Sequence, residues 1–137
     1  MEGELATDSA KKPTMHPKTL FDAARRGDMD VIQHLVEIEK TNVEAKDHSG
    51  YAPLHLAGID GRVNGVRYLV EKANANVEAK DNDGTTPLHG AASNGHVDAV
   101  RSLVEKANAN LEAKGNNGYT SLHWAAYNGH IDTVRYL

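Results

Sequence analysis

The sequence repeats itself with a period of 34 residues, and this repeat limits the possible folds more than any other feature. Residues 47–80 and 81–114 align without a gap and are identical at 21 of 34 positions. Residues 81–103 and 115–137 are identical at 14 of 23 positions. The chain is therefore a tandem array of one structural unit.

The first part of each unit predicts a turn followed by a short helix. In the repeat at 81–114 the predicted turn is Asp81–Gly84, because Asp and Asn side chains form hydrogen bonds with the local backbone and Gly adopts positive φ. Thr86 is the predicted N-cap, and Pro87 stands at the first helical position, where its missing N–H costs nothing. Gly95 ends this helix after about two turns.

The second part of each unit predicts another helix and an extended connection. Asp98 opens this helix, since its charge is favourable at the positive N-terminal end. Asn108 is expected to end it in a left-handed conformation, which Asn tolerates well. Leu111 and Ala113 are then expected to anchor the extended run into the next turn.

These residues carry a family resemblance. The run Asp81–His96, which reads Asp-x-x-Gly-x-Thr-Pro-Leu-His-x-Ala-Ala-x-x-Gly-His, resembles the ankyrin-repeat signature, with related runs at 52–55 and 120–123. The resemblance covers about residues 20–137. It implies an all-α solenoid of stacked helix-turn-helix units with projecting β-turn tips. The tetratricopeptide repeat has the same period, but its Trp, Leu-Gly and Tyr positions are absent.

The period also divides the chain. Residues 1–18 mix acids and lysines with few apolar groups, which predicts a disordered N-terminal lead. Residues 19–46 are predicted to be a polar N-terminal capping repeat, followed by full repeats at 47–80 and 81–114. An incomplete C-terminal repeat is predicted at 115–137.

The repeat at 47–80 is predicted to be the least stable. Gly58, Gly61 and Gly65 fall within or beside its helices, and an interior Gly costs about 0.5–1 kcal/mol relative to Ala. Ala52 also lacks the hydroxyl that Thr86 supplies as a cap, at a typical cost of about 1 kcal/mol.

The last repeat is expected to leave its apolar stripe of Ile131, Val134 and Leu137 half-covered. Three explanations are open at this point. The chain is a fragment of a longer array, or this end frays, or a partner covers it; a truncated array is the most economical of the three.

Composition and histidine spacing exclude several functions. The chain has no Cys and a net charge of −4, which argues against Cys-ligated zinc and against nucleic-acid binding. It has no apolar run that could span a membrane and no signal-peptide core, so an intracellular, cytoplasmic protein is expected. A monomer is expected as well. The resemblance implies that His55, His89 and His123 bond the adjacent turns, and their expected spacing of about 10 Å is too large to share a metal ion.

Catalysis is not predicted either. The sequence has no arrangement of nucleophile, base and oxyanion donors, and neither a phosphate-binding loop nor a dinucleotide motif. We therefore expect no enzyme activity, no cofactor and no small-molecule substrate.

The positions that vary between repeats are the candidates for function. The resemblance implies that turn tips and the exposed side of each first helix line a concave groove that binds partner proteins. Trp and Tyr are enriched at interface hot spots. The predicted partner-binding residues are Tyr51, Leu56, Ile59, Asn82, Asp83, Thr85, Ser93, Asn94, Asn116, Asn117, Tyr119, Trp124, Tyr127 and Asn128.

Two functions remain open on the sequence alone. The first is a non-catalytic scaffold or adaptor that binds another protein through this groove. The second is a structural spacer within a longer array, in which Trp124 only packs against Tyr127. The near-identical units favour the second function, since they are typical of recent duplication or of consensus-style engineering.

Overall fold

The structure, a computed structural model, describes residues 19–137 and contains eight α-helices in this range. The predicted N-terminal lead, residues 1–18, lies outside the described residues. No strand occurs between residues 19 and 137. The helices are α1 (Leu20–Arg26), α2 (Met29–Gln33), α3 (Pro53–Ile59), α4 (Val63–Glu71), α5 (Pro87–Ser93), α6 (Val97–Ala107), α7 (Ser121–Tyr127) and α8 (Ile131–Tyr136), and α2 continues into a π-helical segment, His34–Ile38.

The helices pair in sequence order, and the pairs stack into two layers. Each first helix of a pair (α1, α3, α5, α7) packs against the first helix of the next pair. The second helices (α2, α4, α6, α8) do the same in the other layer, and each also packs against its own partner. The predicted all-α solenoid is confirmed.

Small and branched apolar side chains fill the space between the layers. Leu54 and Leu88 are each 1% exposed, and Ala57 and Ala91 are fully buried. They belong to one cluster that runs from the first pair to the last. Because Ala has only a Cβ, the backbones of neighbouring first helices approach closely, and the array needs few aromatic residues in its core.

The local signals predict the helix ends well. Thr86 is the N-cap of α5 in an extended conformation, and Pro87 is its first residue. Asn108 ends α6 with φ of 55°, the left-handed conformation expected of it. The helix α6 begins at Val97, one residue before the predicted start, and Asp98 lies in its first turn as its charge requires.

The connection after α6 is anchored differently from the prediction. Leu111 is 39% exposed, whereas Ala109 is only 7% exposed. The Ala109 N–H donates to the Leu103 carbonyl at 3.0 Å, and the Asn110 N–H donates to the Glu78 carboxylate at 2.8 Å. The connection is thus held by backbone hydrogen bonds and by a carboxylate of the preceding repeat.

The second pair holds two helical glycines with different surroundings. A Cβ added at Gly65 would meet its nearest neighbours at 3.7 Å, which is ordinary contact. A Cβ at Gly58 would lie 3.2 Å from the carbonyl oxygen of Pro87 in the next pair. Gly61 differs from both because its φ is 69° and the His96 ring covers it. The three glycines therefore do not weaken this repeat equally.

We predict that Gly65→Ala raises the free energy of unfolding by about 0.5–1 kcal/mol, because Ala loses less backbone entropy in a helix. Gly58→Ala is the matched control. We expect Gly58→Ala to raise the free energy of unfolding less than Gly65→Ala, or to lower it, because α3 approaches α5 closely at Gly58. Urea denaturation of both variants measures the difference, and equal stabilisation would contradict this packing.

Candidate functional site

Successive turn tips are hydrogen-bonded to one another, and this places them in a regular row. The Asn82 N–H donates to the Ser49 carbonyl at 3.0 Å, and its side-chain amide donates to the His48 carbonyl at 2.9 Å. The Asn116 N–H donates to the Asp83 carbonyl at 2.8 Å. These two asparagines, both predicted to bind a partner, also hold neighbouring turns in register.

Two further predicted residues join the helix pairs at the turns between helices. The Asn94 side-chain amide donates to the Ile59 carbonyl at 2.8 Å. The Asn128 side-chain amide donates to the Ser93 carbonyl at 2.9 Å. Both side chains are exposed, yet their amide groups are already bonded to the preceding repeat.

Two of the three repeated histidines, His55 and His89, bond the next turn as the resemblance implies. Within residues 19–137, His123 bonds only Thr120 at the start of its own helix. The Nε2 atoms of His55 and His89 lie 2.9 Å from the Thr85 carbonyl and 3.1 Å from the Tyr119 carbonyl, respectively. The Thr86 N–H donates to His89 Nδ1 at 3.0 Å. Because Nδ1 accepts, Nε2 carries the proton, and the ring is neutral.

This arrangement opposes protonation of both rings. Burial lowers the pKa of His55 and the pKa of His89, since the charged form would lose its hydration. A second ring proton would also face a backbone N–H. Between residues 19 and 137, no group of three or more His, Asp and Glu side chains is placed to hold a metal ion.

A hollow of about 220 Å³ opens at the middle of the row of first helices. We call it the Gly90 hollow. Gly90 lies on α5, and the hollow is lined by Tyr51 and Ile59 from the preceding repeat and by Trp124 from the following one. Leu56 and Trp124 occupy the positions equivalent to Gly90 in their own repeats, so the hollow forms where a large side chain is missing.

The Gly90 hollow carries negative charge. Asp81 and Asp83 line it, and its lining contains neither Lys nor Arg. The Asp81 carboxylate accepts the N–H groups of Asp83 and Thr85, both at 2.9 Å. Burial raises the pKa of Tyr51, and the charges of Asp81 and Asp83 raise it further. The Asp83 carboxylate makes no hydrogen bond or ion pair within the described part of the chain.

Three aromatic side chains form a cluster beside the hollow, which we call the aromatic cluster: Tyr119, Trp124 and Tyr127. The ring centroids of Tyr119 and Trp124 are 5.2 Å apart, and those of Trp124 and Tyr127 are 6.4 Å apart, both in edge-to-face geometry. Tyr119 is 44% exposed and Tyr127 is 81% exposed. The Trp124 indole N–H is buried and has no acceptor among residues 19–137.

The structure brings most of the predicted residues together. Seven of them line the Gly90 hollow: Tyr51, Ile59, Asp83, Thr85, Ser93, Asn94 and Trp124. Tyr119 and Tyr127 contact Trp124, while Asn117 lies in the last turn, where its side chain accepts the Tyr119 N–H at 3.1 Å.

The prediction that Leu56 lies on the binding surface is wrong. This leucine is 7% exposed and packs in the core cluster with Leu54 and Ala57, so its side chain does not reach the surface. Asp81 and Gly90 also line the hollow and are not among the predicted partner-binding residues. Gly90 was detectable, since it alone is small at a position where its neighbours carry Leu and Trp.

Comparisons with known proteins identify the repeat. A family model described as ankyrin repeats (3 copies) matches residues 10–81 and 73–137. A search of curated proteins returns no significant match. Within residues 19–137, no helix has the length and apolar character needed to cross a membrane.

We predict that the free energy of unfolding falls as the pH drops from about 7 to about 5. His55 and His89 have lower pKa values in the fold than in the unfolded chain, so their contribution is full above the unfolded pKa. This contribution to the free energy of unfolding is lost as the pH falls, and each histidine accounts for a slope of at most about 1.4 kcal/mol per pH unit.

Urea denaturation at several pH values measures this slope. His89→Gln is expected to flatten this slope, because it removes one of the two rings whose pKa is lowered by burial. A stability that does not change with pH in this window would contradict the neutral, buried state of the two rings.

Proposed function

Because the chain belongs to the ankyrin-repeat family, we propose that it binds another protein through the surface formed by its turn tips and first helices. We call this surface the inner face. Ankyrin repeats generally mediate protein–protein interaction and are typically not enzymes. The inner face corresponds to the concave groove that the sequence resemblance implied, and no catalytic role is proposed for it.

The aromatic cluster is the observation that carries this proposal. Rigid, amphipathic rings of Trp and Tyr are the side chains that most often dominate binding energy at protein interfaces. Here three of them meet on the inner face, and Tyr127 is mostly in solvent.

The row of turn tips supports the same proposal. Backbone hydrogen bonds between the turns at Ser49, Asn82 and Asn116 fix the spacing of the exposed side chains before any partner arrives. A surface that is already ordered loses little conformational entropy on binding. The inner face is therefore suited to recognise an ordered or extended segment of a partner.

The face of the last helix pair favours a second candidate function, a spacer that receives a further repeat. Cβ atoms at Gly84 and Gly95 would contact side chains of the following repeat, whereas those at Gly118 and Gly129 would meet nothing within 4 Å. Ile131 is 64% exposed on the same pair. Elsewhere in the array, an Asn or His side chain of the following repeat covers the equivalent glycines; on this face they are uncovered.

We predict that the double variant Trp124→Ala/Tyr119→Ala loses a protein that the parent chain captures from a lysate. Each hot-spot ring is expected to contribute about 2 kcal/mol or more to binding. Ile38→Ala is the matched control, since it removes an apolar side chain that is 68% exposed on the first helix pair. Circular dichroism verifies that both variants are folded.

The result separates the two candidate functions. Capture that depends on the aromatic cluster supports the scaffold. Capture that survives the double variant contradicts it, and hydrogen exchange in the complex then shows the site. Protection confined to the surface around Leu122 and Ile131 would favour the spacer.

A further inference from the structure

We propose that the Gly90 hollow receives an arginine side chain of a partner protein. The partner is then recognised through a basic segment that lies along the inner face. This inference rests on the proposed function and adds to it the chemistry of the partner.

The size of the hollow fits one long side chain. Its volume is about 220 Å³, below the roughly 300–1,000 Å³ typical of pockets that enclose small-molecule ligands. It opens between first helices of three successive repeats and is lined at its centre by Gly90. A side chain at this position would meet Ile59, since an added Cβ would lie 2.7 Å from Ile59 Cγ1.

The negative charges that line the hollow favour a positively charged group. Asp81 and Asp83 contribute two carboxylates, and neither Lys nor Arg is among the residues that line the hollow. The rings of His55 and His89, which also line the hollow, are held neutral by the hydrogen bonds described above. Asp81 already accepts two backbone N–H groups, so Asp83 is the carboxylate open to a partner.

The apolar and aromatic lining favours a guanidinium over an ammonium group. Tyr51 and Trp124 line the hollow from two different repeats, and Ile59, the last residue of α3, supplies an aliphatic surface. A planar guanidinium stacks on aromatic rings, is weakly hydrated and donates to a carboxylate in a fixed fork. The arginine methylene groups would pack on Ile59 while the head reaches Asp83.

The array already contains one contact of this type. The guanidinium carbon of Arg101 lies 5.2 Å from the ring centroid of Tyr136 in the outer layer of helices. This pair joins two consecutive repeats, as a partner's arginine would join Tyr51 and Trp124 in the Gly90 hollow.

The single Trp of the sequence provides the test. The probe is a set of synthetic peptides that are identical except for one central residue: arginine, its uncharged isostere citrulline, lysine or glutamate. Each peptide is titrated into the ¹⁵N-labelled full chain, and the indole N–H resonance of Trp124 is followed. We expect saturable shifts with the arginine peptide, weaker shifts with lysine, and none with citrulline or glutamate.

Two isosteric variants localise the effect. Asp83→Asn is expected to weaken arginine-peptide binding about two- to fivefold, the range typical of an exposed charge pair. Asp132→Asn changes the net charge equally but lies exposed on α8, so it leaves binding unchanged. Equal effects of both variants would overturn the site, because the attraction would then be a property of the whole chain.

The other outcomes separate this inference from the proposed function. Absence of indole shifts with the arginine peptide, or lysine binding as tight as arginine binding, overturns the inference. A captured protein whose affinity falls with Trp124→Ala but is unchanged by Asp83→Asn also overturns it, while the proposed function stands. Capture that requires neither Trp124 nor Asp83 overturns both.

Discussion

The hydrogen bond from each buried histidine to the next turn is the interaction on which the array depends. It joins the start of one first helix to the turn of the following repeat, at His55 to Thr85 and at His89 to Tyr119. The same ring also accepts the backbone N–H at its own helix start. One side chain therefore sets the helix start, the turn and the spacing between repeats, and it does so only while it is neutral.

This framework lets the irregular positions shape the surface of the array. Because the turns and first helices repeat with fixed spacing, equivalent positions with different side chains can be compared directly between repeats. Gly90 creates a hollow where Leu56 fills the core and Trp124 contributes to the aromatic cluster. The proposed recognition of a basic segment uses this difference between three equivalent positions.

The sequence predicted the architecture well, because the signals are local and occur several times. Pro87 after Thr86, the glycines at turns and the left-handed Asn108 act on backbone conformation within a few residues. It predicted side-chain exposure less well. Leu56 was assigned to the surface and Leu111 to the interior, since the rotation of a two-turn helix against its neighbours cannot be obtained from a short apolar pattern.

By itself, the amino-acid sequence determined the repeat, its helix pairs, the turn residues and the family, because periodic local signals specify them. It also identified most of the side chains that meet on the inner face. Only the tertiary structure decided that Asn82 and Asn94 join neighbouring repeats, and that Asp81, Asp83 and Trp124 surround one hollow. The reason is physical: these relations join residues about one repeat apart, and their distances depend on how the pairs stack rather than on any local preference.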